Sequence, residues 1–161
     1  SHVTVAQTVA HSGGPINVMP SHATLELDIR TLPGVDDDDV DAAIAAALGD
    51  LAEHVTIERL LCEDATASSI DTDLYRAIEA ALTQRYPDAS VVPVLFPGGT
   101  DLRVARRRGG IGYGFGAVDS GASLGQVYSQ LHAHDEHIAL VDVRATAEVL
   151  HEVATTYLTH V

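Results

Sequence analysis

Residues 131–140 read LHAHDEHIAL and place His132, His134, Asp135, Glu136 and His137 next to one another. Imidazole and carboxylate groups both bind zinc, and a catalytic zinc commonly takes three protein ligands plus an open position. On an extended segment His132 and His134, two apart, point along one face. The spacing is neither H-E-x-x-H nor that of a zinc finger. From the residues alone, two readings stay open: a metal-ligand segment, or a solvated His-rich loop before a helix.

Three other stretches carry chemistry-bearing types. In FPGGTDLRVA (96–105), Gly98 and Gly99 let the backbone turn sharply before a helix. Free amide N–H groups at such a corner can hold a carboxylate, a phosphate or a developing oxyanion. The same residues also suit a plain strand-to-helix turn capped by Thr100 or Asp101. In GGPINVMPSHATLELDIR (13–30), Asn17 sits in a Gly/Pro loop and Arg30 on the polar side of a strand. The planar guanidinium fork of Arg30 fits a carboxylate, or pairs with Glu26 or Asp28 across the sheet surface. IGYGFGA (111–117) is a strand thinned by glycines, which allows close approach of a ligand or another backbone. No G-x-S-x-G elbow is present.

The elements that must position these residues follow from periodicity. VTVAQTV (3–9) and ATLELDIRTLP (23–33) alternate as strands and suit an antiparallel pair, with Leu25, Leu27 and Ile29 on one face and Glu26, Asp28 and Arg30 on the other. PGVDDDDVDAAIAAALGDL (33–51) predicts a helix with aspartates in its first turn, where the macrodipole favours them. These aspartates lack the alternating spacing of a calcium loop. HVTIERLLCE (54–63), VVPVLF (91–96) and IGYGFG (111–116) read as further strands. Helices are predicted around Leu74, Ile78, Ala81 and Leu82, ending at Pro87, over LRVARRR (102–108), and along a C-terminal stripe of Leu150, Val153, Ala154, Tyr157, Leu158 and Val161. DATASSIDTD (64–73) is the candidate linker. The alternation of strands and helices after it predicts an α/β layer with a parallel component.

Bulk composition narrows the classes. Lys plus Arg is 9 against 23 Asp plus Glu, a net charge of −14, so no broad basic surface is available for nucleic acid. Arg106 to Arg108 read as a solvated helix end. The single cysteine, Cys62, excludes an internal disulfide, suits a reducing, cytoplasmic compartment and, within the apolar run IERLLCE, reads as a buried structural thiol. No stretch has the ~18 apolar residues of a membrane span, and the N-terminus has no secretion-signal pattern.

Taken in order, GGPINVMPSHATLELDIRTLPG, FPGGTDLRVARRRGGIGYGFGA and LHAHDEHI resemble the dizinc aminoacylase, glutamate carboxypeptidase and succinyl-diaminopimelate desuccinylase family, metallopeptidase family twenty. The resemblance runs over essentially the whole chain. It implies the C-terminal part of a zinc-peptidase-like α/β catalytic domain, over residues 65–161. Residues 1–64 would be part of an α+β, ferredoxin-like lid and dimerisation domain. It further implies His132 as a metal ligand, with His134 and His137 as loop residues, and Asn17, Arg30, Gly98, Gly99 and Thr100 as substrate-binding. The resemblance implies two zinc ions as cofactor in the whole enzyme, but the family's H-x-D segment and Glu-Glu pair, which supply the general base and most zinc ligands, have no counterpart in this sequence. Those groups are expected upstream of residue 1, and no catalytic residue is assigned here. One imidazole cannot hold zinc in a catalytic geometry. The implied function is therefore that of a fragment of a zinc-dependent amidohydrolase acting on an N-acyl amino acid or small peptide. It would be inactive alone and would pair as a homodimer, with no nucleic-acid or membrane partner. The alternative is a non-catalytic dimerisation or ligand-binding module derived from the family.

Overall fold

The computed structural model describes residues 2–159. The fold is mixed α/β: one two-stranded antiparallel sheet and five α-helices among the described residues. The chain forms two compact units, Ser1–Ala67 with Leu95–Arg107, and Ser68–Val94 with Arg108–Val161. Val161 of the expected C-terminal stripe lies outside the described residues.

In the first unit, β1 (Thr4–His11) pairs with β2 (Thr24–Arg30). Val5 lies opposite Ile29 and Gln7 opposite Leu27, which gives one largely apolar face. Between Gln7 and Val9 the register slips, so Val9 meets Glu26 and Ala10 meets Leu25. Thr8 is the unpaired residue of this bulge, and its hydroxyl donates to the Glu26 carbonyl. One extra residue moves every later side chain of β1 to the other face, which is how Val9 comes to share the polar side with Glu26. Helix α1 (Asp37–Leu48) begins as its sequence demands. Asp36 caps the Asp39 N–H, and the Asp39 carboxylate accepts from the Asp36 N–H, a reciprocal capping box. An open cleft of about 400 Å³ lies between α1 and the Val5–Ile29 end of the sheet, lined by Val3, Val35, Val40, Ala43 and Ile44 among others.

The first unit holds no fully buried residue among those described. Leu25 stays 52% exposed and Leu61 82% exposed. The chain's accessible surface is 12550 Å². Two compact proteins of half this mass, not touching at all, would expose about 9,300 Å² together. Much apolar surface is therefore uncovered, however the units are placed.

HVTIERLLCE forms no strand; after a 3-10 turn over Gly49–His54 it runs without a ladder partner. Side chains hold it instead. Arg59 pairs with Asp37 at 2.9 Å and Asp41 at 2.6 Å on α1. Cys62 is exposed rather than buried, and its thiol donates to the Asp37 carboxylate at 2.9 Å. The apolar run around it suggested burial, but no layer covers that run. Helix α3 (Leu102–Arg107) is pinned to residues 63–66 by Arg103 on Glu63, Arg107 on Asp64, and Arg106 on the Thr66 carbonyl and hydroxyl. The arginine run is thus a clamp and not merely a solvated helix end.

The second unit has the core. Helix α2 (Asp73–Arg85), capped by Thr72, packs on α5 (Leu140–Thr159). Ile78 and Ala81 meet Ala145, Val149 and Val153, with Ala117 beside them. The buried stripe of α5 is Ala145–Val149–Val153, while Leu150 and Leu158 of the expected stripe are exposed because α2 covers one face only. Residues 111–119 are not a strand, and neither are 91–96, so no parallel pairing occurs among the described residues. The Gly112 N–H goes to Ser68, the Ala117 N–H to Thr146, and the Asp119 and Ser120 N–H groups to the Asp142 carboxylate. Side chains here do the work of a neighbouring strand. Arg85 and the Tyr86 hydroxyl converge on Asp119, and Arg85 reaches Glu148 of α5. Helix α4 spans Leu124–Gln130 with a Ser123 and Gln126 capping box. No helix of the described residues is long and apolar enough to cross a membrane.

Val149→Ala removes two buried methyl groups and should cost about 2 kcal/mol of second-unit stability. Leu158→Ala, at a position 72% exposed, should stay within about 0.5 kcal/mol in the same denaturant titration. Asp142 is held below the usual carboxylate range, first by the Ser120 hydroxyl and then by the Ser120 and Asp119 backbone N–H groups. A depressed folded-state value gives stabilisation that is complete above the unfolded value near ~3.9 and fades as pH falls through the folded one. Asp142→Asn should therefore lower the melting temperature clearly at neutral pH and progressively less below pH ~4. A constant gap in circular-dichroism melts would contradict this. The Asp37 hydrogen bond raises the Cys62 thiol above its ordinary value, so alkylation by iodoacetamide at mildly alkaline pH should be slower than for an unhindered thiol. Asp37→Asn should speed it.

Candidate functional site

The segment that ends in Arg30 is positioned by the β1–β2 ladder. Asp28 and Arg30, two apart on β2, share the polar face. Opposite them on β1 stand the small residues Ala6 and Thr4. Its Nε and Nη2 both donate to Asp28 Oδ2, at 3.0 and 2.8 Å. Its Nη1 donates to the Pro97 carbonyl at 2.6 Å. The side chain remains 47% exposed.

That carbonyl belongs to the glycine turn. Gly98 follows it, and a Cβ there would strike the Phe96 ring, so only glycine fits with the ring where it stands. Gly99 faces open space. Thr100 caps α3 weakly, its hydroxyl accepting from the Leu102 N–H at 3.4 Å. The turn is thus a helix entry, and what it contributes to the neighbourhood of Arg30 is a carbonyl acceptor. Asn17 lies in a separate exposed turn, closed by the Val18 N–H on the Pro15 carbonyl. The structure joins Arg30 to the segment just before Gly98–Thr100 and makes no side-chain hydrogen bond between Asn17 and either.

His132 is in the second unit, in a tight turn after α4. The turn is not extended: His132 and Asp135 both take φ of 60°, a left-handed conformation costing a non-glycine residue about 1–2 kcal/mol. The His132 N–H donates to Glu136 Oε2 at 3.3 Å, and His137 Nδ1 bonds the Asp135 carbonyl at 2.6 Å. The imidazole of His132 is exposed. Among the described residues no three histidine, cysteine, aspartate or glutamate side chains converge to hold a metal. The residues present do not fit a zinc ion by themselves: Glu136 and His137 are turned to the backbone of their own turn, and no third ligand converges with them.

Spacing in the sequence offers Asp28 as one of two salt-bridge partners for Arg30. The part it missed is Pro97: a backbone acceptor 67 positions away leaves no mark in residue types. Positive φ at a histidine is equally silent in sequence.

With this geometry in hand, similarity to known proteins can be placed on the fold. Residues 1–56 match the family described as the peptidase dimerisation domain. The probable carboxypeptidase S-like 2 of Dictyostelium discoideum is 26% identical over 102 residues, covering 62% of this chain and 19% of that protein. The match therefore spans about a fifth of the relative's length. No solved structure matches. The chain is thus similar to a peptidase dimerisation domain over residues 1–56 and, over 102 residues, to a carboxypeptidase S-like protein.

Proposed function

We propose that this chain is a C-terminal portion of a zinc-dependent metallopeptidase or amidohydrolase that cleaves the amide bond of an N-acyl amino acid or small peptide. Residues 1–64 serve as part of the lid and dimerisation domain, and residues 65–161 return into the catalytic domain. The observation that carries the reading is the dimerisation-domain match over residues 1–56, on a unit with no buried residue among those described. An apolar sheet face left half covered is the mark of a surface completed by further protein. In this reading His132 supplies one zinc ligand and the other ligands, with the general base, come from polypeptide outside these residues. Arg30 anchors the substrate carboxylate, and Asn17 and the Gly98–Thr100 turn line the pocket. Two copies pair through the lid, in the cytoplasm.

The chain alone, supplied with zinc, should hydrolyse neither N-acetyl amino acids nor dipeptides, and should sediment as a dimer. A product extended upstream of Ser1 to include an H-x-D segment and a Glu-Glu pair should turn these substrates over. His132→Ala in that product should lower both bound zinc and activity. Turnover by the 161-residue chain would overturn the proposal, as would an extended product that keeps its zinc after His132→Ala.

A further inference from the structure

We infer that Asp28 is a positioning residue which, together with the Pro97 carbonyl, holds the Arg30 guanidinium as a preset fork for a carboxylate. The inference rests on the reading of Arg30 as a substrate-carboxylate anchor and adds what aims it. A guanidinium has five N–H donors. Asp28 Oδ2 takes those of Nε and one of Nη2, and Pro97 takes one of Nη1. One N–H is left on each terminal nitrogen, Nη1 and Nη2. Both lie in the guanidinium plane, where the oxygens of a carboxylate can accept them. The half-exposed side chain keeps them within reach of solvent.

The clamp grips from two directions. Asp28 fixes the Nε–Nη2 edge from the same strand, while Pro97 fixes Nη1 from a segment far along the chain. A long arginine side chain otherwise carries ~2 kcal/mol of rotamer entropy that an incoming ligand would have to overcome. Held this way, most of that ordering precedes binding. Asp28 also offsets part of the arginine's charge, so it weakens attraction for an anion even as it sharpens the geometry. The two effects separate by substitution. Asp28→Ala removes the acceptor and the charge together, whereas Asp28→Asn keeps an oxygen acceptor and removes the charge.

The test uses the 161-residue chain, with N-acetylglycine as probe and N-acetylglycinamide as the uncharged control. Binding is followed by the 15N-resolved Arg30 Nε–H resonance and by calorimetry. The native chain should bind N-acetylglycine saturably and the amide not at all. Arg30→Ala and Asp28→Ala should each weaken binding by about tenfold. Asp28→Asn should bind as tightly as the native chain or more tightly, a rescue that a merely structural role would not give. If Arg30→Ala weakens binding but Asp28→Ala does not, the inference falls and the anchor reading stands. If Asp28→Asn loses as much as Asp28→Ala, the inference falls too. Should Asp28→Ala lose its sheet signal, the Asp28→Asn comparison decides alone. No saturable binding by the native chain, or none lost in Arg30→Ala, overturns the anchor reading and this inference with it.

Discussion

An extended backbone cannot satisfy its own N–H and C=O groups, so every non-helical stretch of this chain depends on something beside it. Two segments, β1 and β2, satisfy each other. Within residues 112–120 the N–H groups of Gly112, Ala117, Asp119 and Ser120 are satisfied by Ser68, Thr146 and Asp142, three side chains from flanking elements. The helices supply their own bonds and need only caps, which Asp36, Thr72 and Ser123 provide. Asp142 stands out in this scheme because it is the one buried polar residue among those described, 7% exposed, and receives two backbone donors and a hydroxyl. An ionised carboxylate with several donors is a strong fixed point. It ties the start of α5 to the loop that follows residue 117.

The second means of fixation is arginine. All nine basic residues are Arg and none is Lys, against a net charge of −14. Arginine's rigid fork spans two acceptors at once, where an ammonium would act as a point charge. Arg59 joins Asp37 to Asp41, Arg85 joins Asp119 to Glu148, and Arg30 joins Asp28 to Pro97. Exposed pairs of this kind contribute little stability each. Their effect is geometric: each fixes where two pieces of chain stand relative to one another within a unit.

What could be read from sequence divides along the same line between local and distant partners. Caps, the acidic start of α1, the Thr72–Arg85 helix and the apolar alternation of β2 depend on neighbours a few positions away, and these were legible. The strands expected at 54–63, 91–96 and 111–116 had the right composition, but a strand exists only when a second chain segment lies alongside, and alternation does not name that segment. Cys62 failed for a related reason, since burial depends on a covering layer. The α5 stripe was misplaced by about one residue in its phase because α2 covers a narrow band and leaves Leu150 and Leu158 in solvent. Among the candidate site residues, residue types single out Arg30 and the glycine turn, while the hydrogen bond from Arg30 to the Pro97 carbonyl came only with the fold.

The first unit shows that local precision and a closed core are separate achievements. It has no buried residue among those described, yet it holds a guanidinium by three hydrogen bonds from two segments 67 positions apart. Hydrogen bonds orient groups at short range and need only the atoms that make them. Hydrophobic stabilisation scales with area removed from water, and here much of that area is still exposed. A module built this way can carry the geometry of a recognition site in its own residues. If pairing of two lids, as proposed above, supplied the missing burial, ligand binding and association would be tied together in one small sheet.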